Sequence, residues 1–502
     1  MTSARWSSTR PAPPTPTAAR GNGWRRASGP VWSGCRSGWR NPRTSSPTCS
    51  PRWPPRCPPP PPRGCEVSRP QHFGYFFSRG FGPQGWGRDY QAWNDDWTRP
   101  DLYAHAVRDL ERAGFDLVVI EDAISLGNPD TLDLRVRAAY GGPKHDPLLL
   151  APYLFAATQH LGVVPTVNAG ITPPYLAARQ AATLQHLSGD RFGINLVTDV
   201  GSARHVGLEP VAHDVAYDRA EEWIDVVRRL WHSWDSDALV ADPVSGHFAD
   251  GSRIDAFQHR GEHFRLDGPL NALPFAGGEP VLVSPGGSPR GLAFAGSRSD
   301  VQLALAPLRV EEVRRYRAKV LDAAALAGRK PADLRVLFVV KPELVASPEE
   351  ADRIVAASRE PSEAVLREVA LAWSSDLETD LTVLPLDAPL DPAVFGDHVS
   401  LGTIGALRGD TPDAPLRELL ARKARKGRLA DRGGLVGTAE EFADLVEEFG
   451  EDAGNDGFLL SGDLHPVTLH RFLDDLVPVL RRRGVLRTGY GGGGLRGNLF
   501  EF

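Results

Sequence analysis

The chain has 502 residues, of which 41% are hydrophobic, so it can bury a sizeable core either as several domains or as one large α/β barrel. Its net charge of −6 argues against a surface that binds nucleic acid. The sequence contains no apolar run of the ~18 residues that a membrane-spanning helix needs, so we expect no membrane segment and a cytoplasmic protein.

The first 65 residues differ in composition from the rest of the chain. They hold all four cysteines and many arginines but no acidic residue, and they include a proline run at 58–62. An arginine- and serine-rich, acid-free stretch is typical of a transit peptide, and the cysteines allow a metal or disulfide cluster, although no CxxC pair occurs. We favour a disordered or non-native extension over residues 1–67, because such tracts bury too little apolar surface to offset their ordering entropy.

From residue 68 onward, short apolar runs alternate with amphipathic segments. The apolar runs predict eight strands, at 72–77, 115–121, 163–169, 192–198, 280–284, 301–306, 334–340 and 456–460. The periodic segments predict helices, at 102–113, 175–187, 217–234, 310–327, 439–449 and 466–483. Eight strands, nearly all followed by a helix, predict an α/β protein whose parallel sheet closes into a (β/α)8 TIM barrel.

The rival fold is a doubly wound open sheet. That fold carries a GxGxxG turn that opens a helix after its first strand, and the glycines that follow HFGYFF (72–77) do not open a helix. We therefore predict one barrel domain over residues 68–502. Its gaps at about 124–146, 240–278 and 342–436 exceed ordinary βα loops. Insertions of this length are expected where barrels build active sites, and the longest is expected to form a small cap.

Polar side chains stand where the predicted strands end. Asp122 follows the second strand, where a carboxylate needs hydrogen-bond donors from a ligand ring edge or from ordered water. Asn168 ends the third strand, and its amide can donate and accept hydrogen bonds as the pyrimidine edge of a ring ligand requires. An Asp that caps the next loop and an Asn turn residue before Gly170 explain the same positions equally well.

A second pair of polar residues opens the helix that follows the fourth strand. His213 and Tyr217 lie four residues apart, so their side chains share one helix face. A helix amino end also favours an anion such as phosphate. A purely structural histidine is the simpler interpretation of His213 taken alone.

The fifth predicted strand runs into SPGGSPRG (284–291). Its two glycines, of which we single out Gly287, permit close backbone approach, and Ser288 can cap the following helix. Together with Arg290 these groups form a candidate phosphate cradle, and a plain helix cap is compatible with the same residues. The sequence has no GxSxG, HExxH or P-loop motif, which argues against hydrolase, zinc-protease and kinase functions, and we predict no metal site.

Several longer stretches form a recognisable set. They are LERAGFDLVVIEDA (110–123), the segment 146–199, AHDVAYDRAEEWIDVVRRLWHSW (212–234), HRGEHFRLDGPLN (259–271), VLVSPGGSPRGLAFA (281–295), GLVGTAEEFADLV (434–446) and the tail 456–499. In these stretches the chain resembles the luciferase-like flavin monooxygenases, within them the nitrilotriacetate and dibenzothiophene-sulfone monooxygenase branch. The resemblance begins at about residue 70 and is weakest over 342–430.

The resemblance implies which residues contact an FMN cofactor. Carried over position by position, these contacts fall on Asp122, Asn168, His213, Tyr217 and Ser288. The chain departs from the family pattern at Asn168 (more often Thr or Ser), at Asp199 (Ser), at Glu121 (commonly Ala) and in GPQGWGR (82–88), which lacks a frequent histidine. These departures leave the flavin site intact and the choice of substrate open.

The resemblance also implies an enzyme, a two-component FMN-dependent monooxygenase that acts as a homo-oligomer. A separate flavin reductase would supply reduced FMN (FMNH2), and O2 would oxygenate a small organosulfur, amine or polycarboxylate substrate. No catalytic residue is assigned, and His213 is our candidate for a polar group near the reaction. A deazaflavin-dependent oxidoreductase on the same fold and a non-catalytic flavin-binding protein are the alternatives.

Overall fold

The computed structural model describes residues 69–78, 96–126, 132–137, 142–377, 379–395, 401–409, 411 and 413–502. Three expectations therefore lie wholly or partly outside the described residues. They are the disordered extension over 1–67, the loop 82–88, and parts of the gaps at 124–146 and 342–436.

Eight parallel strands form one closed barrel. They are β1 (His72–Phe77), β2 (Leu117–Ile120), β3 (Gly162–Asn168), β4 (Gly193–Val197), β5 (Val281–Pro285), β6 (Val301–Ala304), β7 (Arg335–Val340) and β8 (Gly457–Gly462). Each strand pairs with its neighbours in the chain, and β8 closes the barrel by pairing with β1. The predicted TIM barrel is thus confirmed, with every strand within a few residues of its expected bounds.

The helices of the described residues lie between the strands, within the longest insertion and after the last strand. They are α1 (Pro100–Ala113), α2 (Leu132–Arg137), α3 (Pro147–Ala157), α4 (Pro174–Ser188), α5 (His213–Trp231), α6 (Pro289–Arg298), α7 (Val310–Leu326), α8 (Pro348–Ala357), α9 (Glu363–Leu377), α10 (Leu401–Arg408), α11 (Leu416–Ala424), α12 (Ala439–Asp452), α13 (Pro466–His470), α14 (Val477–Arg482) and α15 (Gly494–Leu499). None of those in the described part of the chain is long and apolar enough to cross a membrane.

The helix predicted over 466–483 is interrupted. A π-helical turn over Arg471–Leu476 separates α13 from α14. Pro478 in the first turn of α14 has no N–H and its ring crowds the carbonyl four residues earlier, so the regular helical ladder cannot pass through it.

Two of the predicted insertions have their own structure. The segment 240–278 contains two antiparallel hairpins, Leu239–Asp242 with His247–Ala249 and Gln258–Arg260 with Arg265–Asp267. In the segment 342–436, helices α8–α11 lie between two short strands, Glu343–Leu344 and Val436–Gly437, that pair with each other. The insertion therefore leaves the barrel and returns to it at one place. Its apolar side chains form a separate cluster that includes Leu366, Leu377, Leu381, Leu419 and Leu420.

The barrel interior is closed at its amino-terminal end by the C-terminal helix. Leu495 and Leu499 of α15 join the apolar cluster formed by inward-facing strand residues, and both are fully buried. A side chain at Gly162 would overlap Leu495, and one at Gly193 would come within 3.2 Å of it. Gly162 at the start of β3 is therefore needed because α15 fills the space beneath it, whereas Gly193 at the start of β4 is confined by Val164, by the Val281 carbonyl and by α15 together.

Buried polar contacts hold the tail in this position. The Arg487 guanidinium pairs with the fully buried Asp116 carboxylate at 2.7 Å. Arg496 of α15 forms two hydrogen bonds, of 2.7 and 3.0 Å, to Asp300 just before β6. The Tyr490 hydroxyl donates to the carbonyl of Phe115 at 2.7 Å. The tail thus joins the starts of strands on different sides of the barrel.

Replacing Leu495 with alanine tests the contribution of this plug. Because the side chain is fully buried and fixed from several sides, we expect Leu495→Ala to lower the free energy of unfolding by about 2–5 kcal/mol in urea denaturation. Leu326→Ala, at a position 91% exposed, is the matched control and should change it by less than about 0.5 kcal/mol. Equal losses in the two variants would show that α15 does not act as a plug.

Candidate active site

The polar residues singled out in the sequence lie at the carboxyl-terminal end of the barrel. Asp122 and Asn168 stand at the ends of β2 and β3, and Ser288 stands just beyond β5. His213 and Tyr217 lie in the first two turns of α5, after β4. All five therefore belong to the mouth opposite the one that α15 closes, which is where barrels of this type place their active sites.

Asp122 and Asn168 line one cavity. Thr166, Asp146 and Asp199 line it with them, as do Ala123, Ile124, Pro147, Leu148, Val167, Ile171, Thr172, Val197 and Ser202. Two of its three carboxylates already serve their own loops, because Asp146 caps α3 by accepting from the Leu149 N–H and Asp199 accepts from the Gly201 N–H. Asp122 also accepts from a backbone N–H, that of Ala123, and it is the carboxylate that we expect to meet a ligand.

Burial has a larger effect on the pKa of Asp122 than the neighbouring charges have. It raises the pKa of Asp122 to about 6, Glu121 and Asp146 add to the rise, and Lys144 opposes it. The buried Lys144 ammonium itself pairs with Glu121 at 2.5 Å. Glu121 departs from the family pattern, and this pair is its structural role, because a buried ammonium needs a counter-charge.

Asn168 is occupied by its own turn. The side chain, 8% exposed, donates to the Asp199 carbonyl and accepts from the Gly170 N–H, both at 2.8 Å. This is the arrangement expected of an Asn turn residue. The contact to a flavin that the resemblance implies stays a prediction, and it would use the remaining acceptor capacity of the amide oxygen.

A second cluster surrounds the start of α6. Ser288 caps this helix by accepting from the Gly291 N–H at 3.1 Å, and its own hydroxyl proton is still available to donate. The Tyr217 hydroxyl lies 2.8 Å from where a Cβ of Gly286 or of Gly291 would stand. Gly286 has φ +131°, a conformation that only glycine adopts without strain. A side chain at Gly286 or at Gly291 would therefore displace the Tyr217 hydroxyl. The sequence alone singles out Gly287 instead.

The Tyr217 hydroxyl faces this loop without a partner. The residue is 7% exposed, its ring packs against Phe294 of α6 with centroids 5.8 Å apart, and its hydroxyl makes no hydrogen bond within the described part of the chain. This hydroxyl is therefore free to donate its proton to a ligand. A ligand at the start of α6 would lie within its reach.

His213 and Arg290 are placed differently from each other. The His213 ring lies edge-on to Tyr217 with centroids 5.2 Å apart, as the four-residue spacing predicts, but it is largely exposed and pairs with Asp214. Arg290 is largely occupied by α5, because it forms hydrogen bonds of 2.7 Å to Asp218 and Glu221. A contact between Arg290 and a ligand in the cradle stays a prediction, and it would use the donors that the two carboxylates of α5 leave free.

These features define a class of protein. It is a (β/α)8 barrel whose open mouth combines a carboxylate-lined cavity with a glycine loop, a capped helix start and an unbonded hydroxyl, which suit a ligand that carries both a ring and a phosphate. Residues 75–457 match the family model described as luciferase-like monooxygenase. The chain belongs to this family, so the sequence-based assignment is confirmed.

Curated relatives and a solved structure agree with that assignment. The chain is 34% identical over 450 residues to dibenzothiophene-sulfone monooxygenase of Rhodococcus erythropolis (strain XP), covering 86% of this chain and 96% of the relative. It is 31% identical to nitrilotriacetate monooxygenase component A of Aminobacter aminovorans, covering 82% and 94%. A crystal structure of riboflavin lyase with modified FMN and riboflavin has a TM-score of 0.71 and 26% identity, covering 86% and 96%.

The raised pKa of Asp122 predicts how the flavin-free protein responds to pH. A carboxyl whose pKa is higher in the folded state binds more protons when folded, so stability falls as the pH rises from the ordinary value towards about 6. Above about pH 6 the carboxyl is ionised, and the loss of stability that results from its burial is then complete. We expect Asp122→Asn to raise the melting temperature by on the order of 1–3 °C at about pH 8, and to lose this advantage at about pH 4.

The exposed Asp431 supplies the control, and Asp431→Asn should behave like the wild type at both pH values. A variant Asp122→Asn that melts below the wild type at the higher pH would contradict the assignment, because the ionised carboxylate would then be stabilising.

Proposed function

We propose that the protein is the oxygenase of a two-component system that uses reduced FMN and O2 to oxygenate a small organic substrate. The observation that carries the proposal is the hydroxyl of Tyr217, which bonds no described residue and lies beside Gly286 and the Ser288 cap. A phosphate is the part of FMN that such donors bind. Family membership supplies the reaction type.

The residues of the cradle fit a phosphate in three ways. Ser288 and Tyr217 each have a hydroxyl proton to donate. The amino end of α6 carries a partial positive charge from its aligned peptide dipoles. A Cβ at Gly287 would meet nothing closer than the Tyr316 ring, at 3.9 Å, so the backbone there is open to close approach by a ligand.

The cavity at the ends of β2 and β3 would receive the flavin ring. Asp122 and Asn168 lie on its wall, where they would meet the polar edge of the ring, and apolar residues such as Val167 and Ile171 would limit access of water. Bound reduced FMN supplies two electrons, so that one atom of O2 enters the substrate and the other leaves as water. The task of this chain is then to bind, orient and shield.

The relatives support the cofactor and the division into components. The name of the riboflavin lyase structure includes FMN, and the Aminobacter relative is named as component A of its enzyme. By analogy we propose a transient flavin reductase partner and a homo-oligomeric oxygenase. Dibenzothiophene sulfone and nitrilotriacetate in the relatives' names favour an organosulfur, amine or polycarboxylate substrate.

An oxygen-uptake assay separates this function from its alternatives. With NADH, FMN and an added flavin reductase, we expect O2 uptake that rises when the correct organosulfur, amine or polycarboxylate compound is present, and a product that carries ¹⁸O from ¹⁸O2. Chemically reduced FMN without the reductase should give the same product. Oxidation or reduction of a substrate with a deazaflavin alone would support the first alternative, and flavin binding without any turnover would support the second.

Tyr217→Phe tests the phosphate contact. Loss of a hydrogen bond to a charged group should weaken FMN binding by roughly ten- to a hundredfold, as measured by quenching of flavin fluorescence. Because the hydroxyl bonds no described residue, the melting temperature of the flavin-free protein should change little. Tyr153→Phe, on the exposed face of α3, controls for the substitution itself. An unchanged FMN dissociation constant would assign Tyr217 to helix packing alone.

A further inference from the structure

Two side chains outside the cradle, those of Gln302 and Tyr316, form hydrogen bonds to its backbone at Gly286. Gln302 of β6 is fully buried and pairs in register with Ser284 of β5, the strand that leads into the cradle. Its amide nitrogen donates to the Gly286 carbonyl at 2.9 Å. The Tyr316 hydroxyl of α7 donates to the same carbonyl at 3.3 Å.

The two side chains also fix each other. The Gln302 amide nitrogen lies 3.2 Å from the Tyr316 hydroxyl oxygen, and the Gln302 oxygen accepts from the Ser284 hydroxyl at 3.3 Å. The Tyr316 ring packs edge-on against Phe338 of β7, with centroids 5.8 Å apart. Burial raises the pKa of Tyr316, so its hydroxyl keeps the proton that it donates.

This arrangement has a consequence for the next peptide group. In a planar trans peptide the carbonyl oxygen and the following N–H point in opposite directions. When Gln302 and Tyr316 hold the Gly286 carbonyl towards β6 and α7, the Gly287 N–H is turned the other way. That N–H donates to no carbonyl or side chain within the described residues, although a free backbone donor is normally satisfied.

We propose that Gln302 and Tyr316 are positioning residues for the cofactor phosphate, and that they act by orienting the Gly287 N–H towards it. The inference rests on the proposed function, because it takes the occupant of the cradle to be the phosphate of FMN. Neither side chain needs to touch the ligand. Their effect reaches it through one peptide plane, whose conformation at Gly286 (φ +131°) other residues rarely adopt.

The test compares FMN with riboflavin, which lacks the phosphate. Tyr316→Phe removes one of the two donors to the Gly286 carbonyl and should weaken FMN by about three- to tenfold while riboflavin affinity stays unchanged. Gln302→Glu replaces the amide donor with an acceptor and should weaken FMN further, again with little effect on riboflavin. Dissociation constants from flavin-fluorescence quenching give both values for each variant.

Tyr490→Phe is the matched control for a lost tyrosine hydroxyl. That hydroxyl also donates to backbone carbonyls, of Glu111 and Phe115, but at the closed end of the barrel. It should lower the melting temperature without changing the ratio of FMN to riboflavin affinity. If Tyr316 has only a structural role, Tyr316→Phe should likewise lower the melting temperature and leave the ratio of FMN to riboflavin affinity unchanged.

The outcomes separate the inference from the function on which it rests. An unchanged FMN dissociation constant in Tyr316→Phe, or equal losses for FMN and riboflavin, overturns the positioning role while the wild type still prefers FMN. A wild-type protein that binds neither flavin overturns the proposed function, and the inference with it. A selective loss of FMN in both variants supports the inference.

Discussion

The closure of one end of the barrel by α15 is the constraint on which the rest of the structure depends. Leu495 fills the interior beneath two glycine strand starts, and the buried pair of Arg487 and Asp116 fastens the tail to β2. A buried ion pair is tolerated only when its geometry compensates for desolvation, so the tail position is narrowly defined. With this end filled, we place the entrance for a ligand at the carboxyl ends of the strands.

At the open end of the barrel, some polar groups lack favourable interactions that a bound ligand would supply. Burial makes the ionised form of Asp122 unfavourable, and the Tyr217 hydroxyl has no hydrogen-bond partner among the described residues. Such costs are typical of binding sites, where activity is favoured at the expense of stability. The cradle is rigid by contrast, because Ser288, Gln302 and Tyr316 each bond its backbone. This bonding fits our proposal that the cradle anchors a cofactor by its phosphate.

Local patterns in the sequence predict the strands, the long helices α1, α4, α5, α7 and α12, and the Ser288 cap, because periodicity and capping depend on residues close in the chain. Contacts between distant residues escape such reasoning. The two carboxylates of α5 that pair with Arg290 are about 70 residues distant from it in the sequence. The pairing of Glu121 with Lys144 and the need for glycine at Gly291 beside Tyr217 likewise appear only after folding. A proline near the end of a helical pattern was the one local signal of the π turn.

A crystal structure of the protein with FMN bound tests the central claim most directly. The account predicts that the phosphate lies at the start of α6, within hydrogen-bond distance of the Ser288 and Tyr217 hydroxyls and of the Gly287 N–H. It also predicts that the flavin ring extends into the cavity lined by Asp122 and Asn168. A phosphate bound elsewhere, with the Tyr217 hydroxyl still unbonded, would contradict the account.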